Sequence, residues 1–260
     1  MKMKLYLFSL LILLFFTFCN ENDDDDNTPT SSIDIEINND SATLNKRLDY
    51  TNSGVISVDN SSKTKSLSSQ SVTDLPLVQI AEVNAPIDQS GRTLQANHVA
   101  VHGSYIYVAY TMSGNIYSGA IDLIDITDPY KPKVLSSALI ADTDITSLNY
   151  SNGHLIIAAA RDIDKDPSLT SPAIILNMQL NAGMLTENYT VNKLEGQVTT
   201  DVASNSVHYF GVTGDAGSLF KINEGSQSLN GKVPLEDLRT VAIDGSKVVT
   251  LSWHKRHQYF

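Results

Sequence analysis

Cysteine is all but absent from this chain: Cys19 is the single one in 260 residues, and it stands at the end of an apolar leader. The domain behind it therefore forms no internal disulfide in any redox compartment, and packing and strand pairing must hold it. Basic residues are also scarce, 18 Lys and Arg against 29 Asp and Glu, for a net charge of -11. Such a chain repels phosphate backbones, which argues against nucleic acid as a partner and leaves cations, neutral glycans and other proteins. There is no Walker loop, no G-x-G-x-x-G opening a helix, no G-x-S-x-G and no H-E-x-x-H, so the familiar nucleotide, hydrolase and zincin chemistries have no footing. No stretch shows convincing helical periodicity. With 42% hydrophobic residues the chain can nevertheless bury a core, and 260 residues suit one all-β domain.

The beginning of the chain reads as an export signal. Lys2 and Lys4 precede LYLFSLLILLFFTF, an uncharged run of 14 residues from Leu5 to Phe18. A membrane-spanning helix needs about 20 apolar residues, so a retained helical anchor is the lesser alternative. Cys19 follows at once, and then the strongly hydrated NENDDDDN. This arrangement resembles a bacterial lipoprotein signal, which implies a signal peptide over residues 1–18, acylation of Cys19 and attachment to outer-membrane lipid. The acidic run resembles the surface-export signal of Bacteroidetes lipoproteins, which implies display on the outer face. Two or three acyl chains together anchor a protein stably. Residues 19–74, rich in Asp, Ser, Asn and Thr, read as a flexible stalk, because such a composition buries too little apolar surface to offset ordering entropy. The alternating IDIEI at Ile33 to Ile37 is a strand pattern with no evident partner inside the stalk.

From residue 75 to 260 the texture is that of short β-branched and aromatic runs punctuated by Gly, Asn, Asp and Pro. Self-alignment gives four units: HVAVHGSYIYVAY from His98, SLNYSNGHLIIAAA from Ser147, DVASNSVHYFGVTG from Asp201 and TVAIDGSKVVTLSW from Thr240. Their starts are about 40 to 54 residues apart, the length of a four-stranded propeller blade. The first unit continues with GAIDLIDI, the turn TDPYKP and an outer strand KVLSSALI. Strand YIYVAY is apolar on both faces, as a blade between two neighbours requires. The expected fold is all-β, an incomplete β-propeller of about three and a half four-stranded blades.

Gly103, Tyr105, Tyr107, Val108 and Ala109, followed by Ile124, Asp125, Asp128, Pro129 and Pro132, resemble the repeat unit of LVIVD-repeat propellers of bacterial surface and secreted proteins. The resemblance is close over residues 98–138, looser over 77–253, and implies a fold, not a chemistry.

Candidate sites are few. The residues leading into each innermost strand ring the channel mouth of a propeller, and here they are polar in all four units: Asn97, His98, Asp144, Thr146, Asp201, Asp237 and Arg239. They are candidate ligand contacts, though strand-leading loops are commonly polar. Asp162, Asp164 and Asp166 form D-x-D-x-D, a weak calcium candidate, since Pro167 and Ala173 stand where a calcium loop wants Gly and Glu. No other cofactor is indicated. A module binding a glycan or protein is expected. Its alternative is an enzyme acting on extracellular polysaccharide, which would need two carboxylates within about 10 Å across one channel, Asp144 and Asp237 being the first pair to examine.

The C-terminal WHKRHQYF gathers basic residues in an acidic protein and follows the second strand of the fourth unit. A truncated or frameshifted gene is the expectation, with further blade signals beyond the stop codon. An open arc of blades would leave both end faces wet, and VQIAEV, at Val78 to Val83, is the candidate strand to join the last blade.

Overall fold

The structure, a computed structural model, describes residues 33–51, 53–55, 78–253 and 258–259. The leader, Cys19, the acidic run and the Ser-rich stretch at 66–71 lie outside these residues, as do the readings placed on them.

The first described segment holds β1 (Ile35–Asn38), a one-turn helix α1 (Ser41–Leu44), a 3-10 turn at Asn45–Arg47, β2 (Leu48–Asp49) and β3 (Gly54–Val55). Asp40 caps α1 by accepting a hydrogen bond from the Ala42 N–H at 3.0 Å. After the gap come β4 (Val78–Gln79), which pairs with β3, and β5 (Glu82–Val83), which pairs with β2.

Three antiparallel blades of four strands follow. The first is β6 (Gln95–His102), β7 (Tyr105–Thr111), β8 (Ser118–Asp125) and β9 (Lys133–Ala141). The second is β10 (Thr143–Ser151), β11 (His154–Arg161), β12 (Ala173–Gln179) and β13 (Tyr189–Lys193). The third is β14 (Thr199–Ser204), β15 (His208–Thr213), β16 (Ser218–Asn223) and β17 (Leu229–Pro234). A fourth begins with β18 (Leu238–Asp244) and β19 (Lys247–Ser252), and β20 (Gln258–Tyr259) adds a short third strand. The innermost strands β6, β10, β14 and β18 lie side by side in that order, as propeller blades do.

Local chemistry explains the hairpins. Between β10 and β11 the two-residue turn Asn152–Gly153 has positive φ at both positions, 45° and 80°, which Asn and Gly tolerate and which matches strand twist. In the D-P-x-x-P turn Asp128 accepts a hydrogen bond from the Tyr130 N–H at 3.0 Å, and its carbonyl accepts one from Lys131 at 2.9 Å.

The core consists of layers between blades. Tyr107, Ala109, Ile121 and Leu123 of the first blade pack on Ile145, Leu148, Leu155 and Ile157 of the second. Ile156 and Ile175 pack on Val202, Tyr209 and Phe220, and then Phe210, Val212 and Leu219 on Leu238, Val241 and Val248. Each such aliphatic side chain, fully buried, contributes about 1.5–3 kcal/mol. The first and second blades approach so closely at Gly119 that a Cβ there would stand 2.7 Å from the Thr143 carbonyl oxygen and 2.8 Å from Ile145 Cγ1. Gly119→Ala is expected to cost about 1–3 kcal/mol by overpacking, read from the urea midpoint; an unchanged midpoint would show that β10 yields without cost.

Four expectations are corrected here. The stalk reading of 19–74 does not hold for 33–51: β1 pairs antiparallel with β9, Ile35 opposite Ile140, so the first blade has five strands. The strand pattern did have a partner, about a hundred residues further on. The back of the first blade is covered too, since Leu44, Leu48, Val83, Ala85 and Leu94 pack on Val108, Tyr110, Ala120, Ile124 and Val134 where a preceding blade would lie. Among the described residues its innermost strand stays open on that side: Val99 is 54% exposed, whereas its counterparts Leu148, Val202 and Val241 are 2%, 4% and 5% exposed. Third, Val78 to Val83 supplies β4 and β5, which pair with β3 and β2 rather than with the last blade. Fourth, the fourth unit does not stop at two strands, because the tail returns as β20.

Candidate functional site

The residues leading into the innermost strands are placed by a repeated device. Each of β6, β10, β14 and β18 has a register shift that isolates one residue: Asn97, Thr146, Thr200 and Arg239. A bulge turns that side chain out of the ladder toward the neighbouring blade. Asn97 Nδ2 donates to the Ile145 carbonyl at 2.5 Å. Thr146 Oγ1 reaches the Thr199 carbonyl at 2.5 Å and the Ala158 carbonyl at 3.0 Å. Thr200 Oγ1 reaches the carbonyls of Leu238 and Val212, each at 3.1 Å. The acceptor in the next blade is in every case the residue just before that blade's own bulge. Arg239 instead meets Asp237 at 2.6 Å.

The residues one step further, His98, Ser147, Asp201 and Thr240, form a second belt. His98 Nδ1 accepts from the Leu148 N–H at 3.1 Å, and Nε2 lies 3.4 Å from Ser147 Oγ. Ser147 Oγ donates to Asp201 Oδ1 at 2.6 Å. Asp201 Oδ2 accepts from Thr240 Oγ1 and, at 2.9 Å, from the Val241 N–H. His98 and Asp201 thus do the same work at the first-to-second and third-to-fourth seams, each holding the N–H of the residue that packs into the layer between the two blades. His, Ser and Asp meet here, but Asp201 orients the serine rather than the histidine, and Ser147 is 2% exposed. The nucleophile–base–orienter order of an acyl-transfer triad is absent from this trio.

Burial lowers the His98 pKa below its ordinary value of 6.5, against a smaller upward pull from Asp201. Below pH 6.5 the unfolded chain takes up the proton first, so stability complete above that value is lost as pH falls through it. The urea midpoint is expected to fall between about pH 8 and 5, with a shallower fall in His98→Asn, whose Oδ1 accepts from Leu148 without titrating. Equal slopes in the two proteins would remove His98 as the cause.

Asp144 and Asp237 occupy matching positions, two residues before the bulges, yet line different clefts. Asp144 Oδ1 accepts from Thr111 Oγ1 at 3.0 Å and from the Ser118 N–H at 3.1 Å, fixing the β7–β8 turn of the first blade. Burial raises its pKa more than these bonds lower it. It lines a cleft of about 440 Å³ shared by the first three blades, together with Asn97, Thr146, Asn115, Tyr117 and Gln197. Asp237 and Arg239 line another, about 530 Å³, with Asp215, Glu236 and the 76% exposed Trp253. A third space, about 480 Å³, lies along the channel side, with His98, His102, Tyr150 and Asp201 on its walls. There His102 stacks on Tyr150, ring centres 3.6 Å apart.

Asp162, Asp164 and Asp166 do not converge. Asp162 accepts from the Asp164 N–H at 3.0 Å, while Asp166 is buried against Arg161 Nε at 3.2 Å and accepts from the Ser168 N–H at 3.1 Å. Among the described residues no three His, Cys, Asp or Glu side chains stand together as metal ligands.

Sequence reasoning missed Thr200, Ser147 and Thr240, members of the two belts. The four aligned units already carry the signal: His98, Ser147, Asp201 and Thr240 are their first residues, and Asn97, Thr146, Thr200 and Arg239 stand one position before. Arg47 was also missed: its guanidinium grips the fully buried Asp122 through Nη1–Oδ1 at 2.9 Å and Nη2–Oδ2 at 2.5 Å.

No protein-family model and no curated protein matches the chain. Among solved structures it is similar to the computationally designed Ika4 protein, with a TM-score of 0.43 and 11% identity over 67% of this chain and 95% of that one. It is also similar to the β-propeller domain of Cps50 (Swd1) from Myceliophteria thermophila, with a TM-score of 0.48 and 13% identity over 72% of this chain and 61% of that one.

Proposed function

We propose that this chain is a surface-displayed lipoprotein of the LVIVD-repeat kind, held to outer-membrane lipid through Cys19, whose propeller serves as a binding or scaffold module for a glycan or protein of the cell envelope. The observation that carries the binding reading is the use of the polar inner-strand residues. Asn97, Thr146, His98 and Asp201 are spent on joining blades, while the clefts beside them stay open and mixed in polarity. Acid–base catalysis on a polysaccharide wants two carboxylates facing one bond, and the pair that the sequence offers for it, Asp144 and Asp237, lines separate clefts, although Asp237 shares its own with Asp215 and Glu236. The leader and the Cys19–Asp26 run support export and anchoring.

Incubating the purified full chain with cell-wall and host glycans and with envelope extracts tests the binding reading: retention without turnover is expected, and shortened glycan chains would make it an enzyme. Labelled fatty acid should enter the parent protein and not Cys19→Ser; equal labelling would remove the anchor. Protease added to whole cells should release the propeller, and full protection would place it on the inner side.

A further inference from the structure

The cleft shared by the first three blades differs from its neighbours in the chemistry of its walls. Among the described residues none of its lining side chains is Lys, Arg or His. Besides Asn97, Thr111 and Thr146, its polar groups are the Asp144 carboxyl, the amides of Asn115 and Gln197 and the Tyr117 hydroxyl, and Met112 and Val198 provide apolar surface beside them. The Asp144 carboxyl is already oriented, because Oδ1 accepts from Thr111 Oγ1 and the Ser118 N–H, and the Met112 N–H also interacts with the carboxyl. Asn115 and Gln197 are exposed and, among the described residues, make no blade-to-blade bond, unlike Asn97 and Thr146 in the same cleft. Its volume of about 440 Å³ lies within the usual range for small-ligand pockets, about 300–1,000 Å³.

We infer that this cleft binds a neutral saccharide, with Asp144, Asn115 and Gln197 taking ring hydroxyls and Tyr117, Met112 and Val198 taking the C–H face. The inference rests on the binding-module reading and names the ligand class of one of its clefts. Amides offer both donor and acceptor to neighbouring hydroxyls, and a carboxylate accepts from two. A sugar ring also presents an apolar face, which an aromatic side chain with a polar tip accommodates. An anionic sugar would meet Asp144 with no cation to balance it, in a protein of net charge -11.

The test is an array of neutral, uronate-bearing and amino-sugar oligosaccharides probed with the full chain, its Asn115→Ala/Gln197→Ala double variant and Asp144→Asn. The parent should retain neutral oligosaccharides, and either variant should weaken retention about tenfold, the double variant at an unchanged melting temperature. The double variant alters two exposed loop side chains, so its fold is not at stake if Asp144→Asn loosens the turn. Retention confined to uronates or amino sugars would overturn the assignment of class. Neutral binding unchanged in both variants would overturn the site while leaving the binding module standing. Capture of an envelope protein with no sugar retained would overturn this inference alone, and a parent that shortens the neutral oligosaccharides would overturn the binding-module reading beneath it.

Discussion

Arg47→Ala is expected to destabilise the protein by about 3–5 kcal/mol in urea unfolding, the largest effect of any single polar substitution proposed for it. The Asp122 side chain is 0% exposed and Arg47 19%, so removing the guanidinium leaves a carboxylate with neither water nor counter-charge. The same guanidinium donates from Nε to the Asn84 carbonyl at 2.9 Å, which ties the two N-terminal strands β2 and β5 together. Asn45 adds a two-point clamp on Val134 of β9, accepting from its N–H at 3.0 Å and donating to its carbonyl at 3.2 Å. Loss of Arg47 should therefore free the whole covering segment, seen as faster amide exchange at Val83, Asn84 and Leu94. Replacing both partners, Arg47→Met with Asp122→Leu, should recover most of the loss, since the cost lies in the orphaned charge. A change under about 0.5 kcal/mol in the single variant, the range of ordinary surface substitutions, would mean that water reaches Asp122 freely.

Asp201→Ala is expected to cost about 2–4 kcal/mol, with the damage spread over two seams at once. One carboxylate holds Ser147 of the second blade, the Val202 N–H of its own, and Thr240 with the Val241 N–H of the fourth. Bonds to a charged acceptor are worth more than neutral ones, and Ser147 and Val241 are too buried for water to replace their partner easily. Asp201→Asn keeps one acceptor oxygen and should lose about half as much. Hydrogen exchange separates the mechanisms: the Val241 amide should lose protection in Asp201→Ala, while amides of the first blade keep theirs. Uniform loss over all blades would indicate a global effect instead of a seam.

The strand–turn–strand texture of each unit was legible because its causes are local. In SLNYSNGHLII the alternation, the Asn-Gly pair and the following apolar run lie within a dozen residues, and the hairpin of β10 and β11 forms where they indicate. The Asp-Pro turn between β8 and β9 was legible for the same reason, since Asp128 bonds the backbone two residues on. The alternation of Ile33 to Ile37 was visible as well, but its partner β9 was not, because nothing in IDIEI specifies which distant edge it joins.

Polar residues divided along the same line. That the inner strands begin with Asn97, Thr146, Asp201 and Asp237 is plain in the sequence; that the first three are fasteners, and that Asp144 and Asp237 open on different clefts, depends on what the next blade places opposite them some 50 residues later.

By itself the sequence determined an all-β chain with four related units, the positions of its hairpins and its acidic charge, because period-two patterning, turn stereochemistry and composition act over a few residues. The tertiary structure alone decided that the segment at 41–51 covers the first blade, that Arg47 and Asp122, 75 positions apart, form a buried ion pair, and that the mouth polar groups split between seams and clefts. Those outcomes depend on which surfaces meet when the layers stack, and a side chain's partner across a seam has no signature in its own neighbourhood.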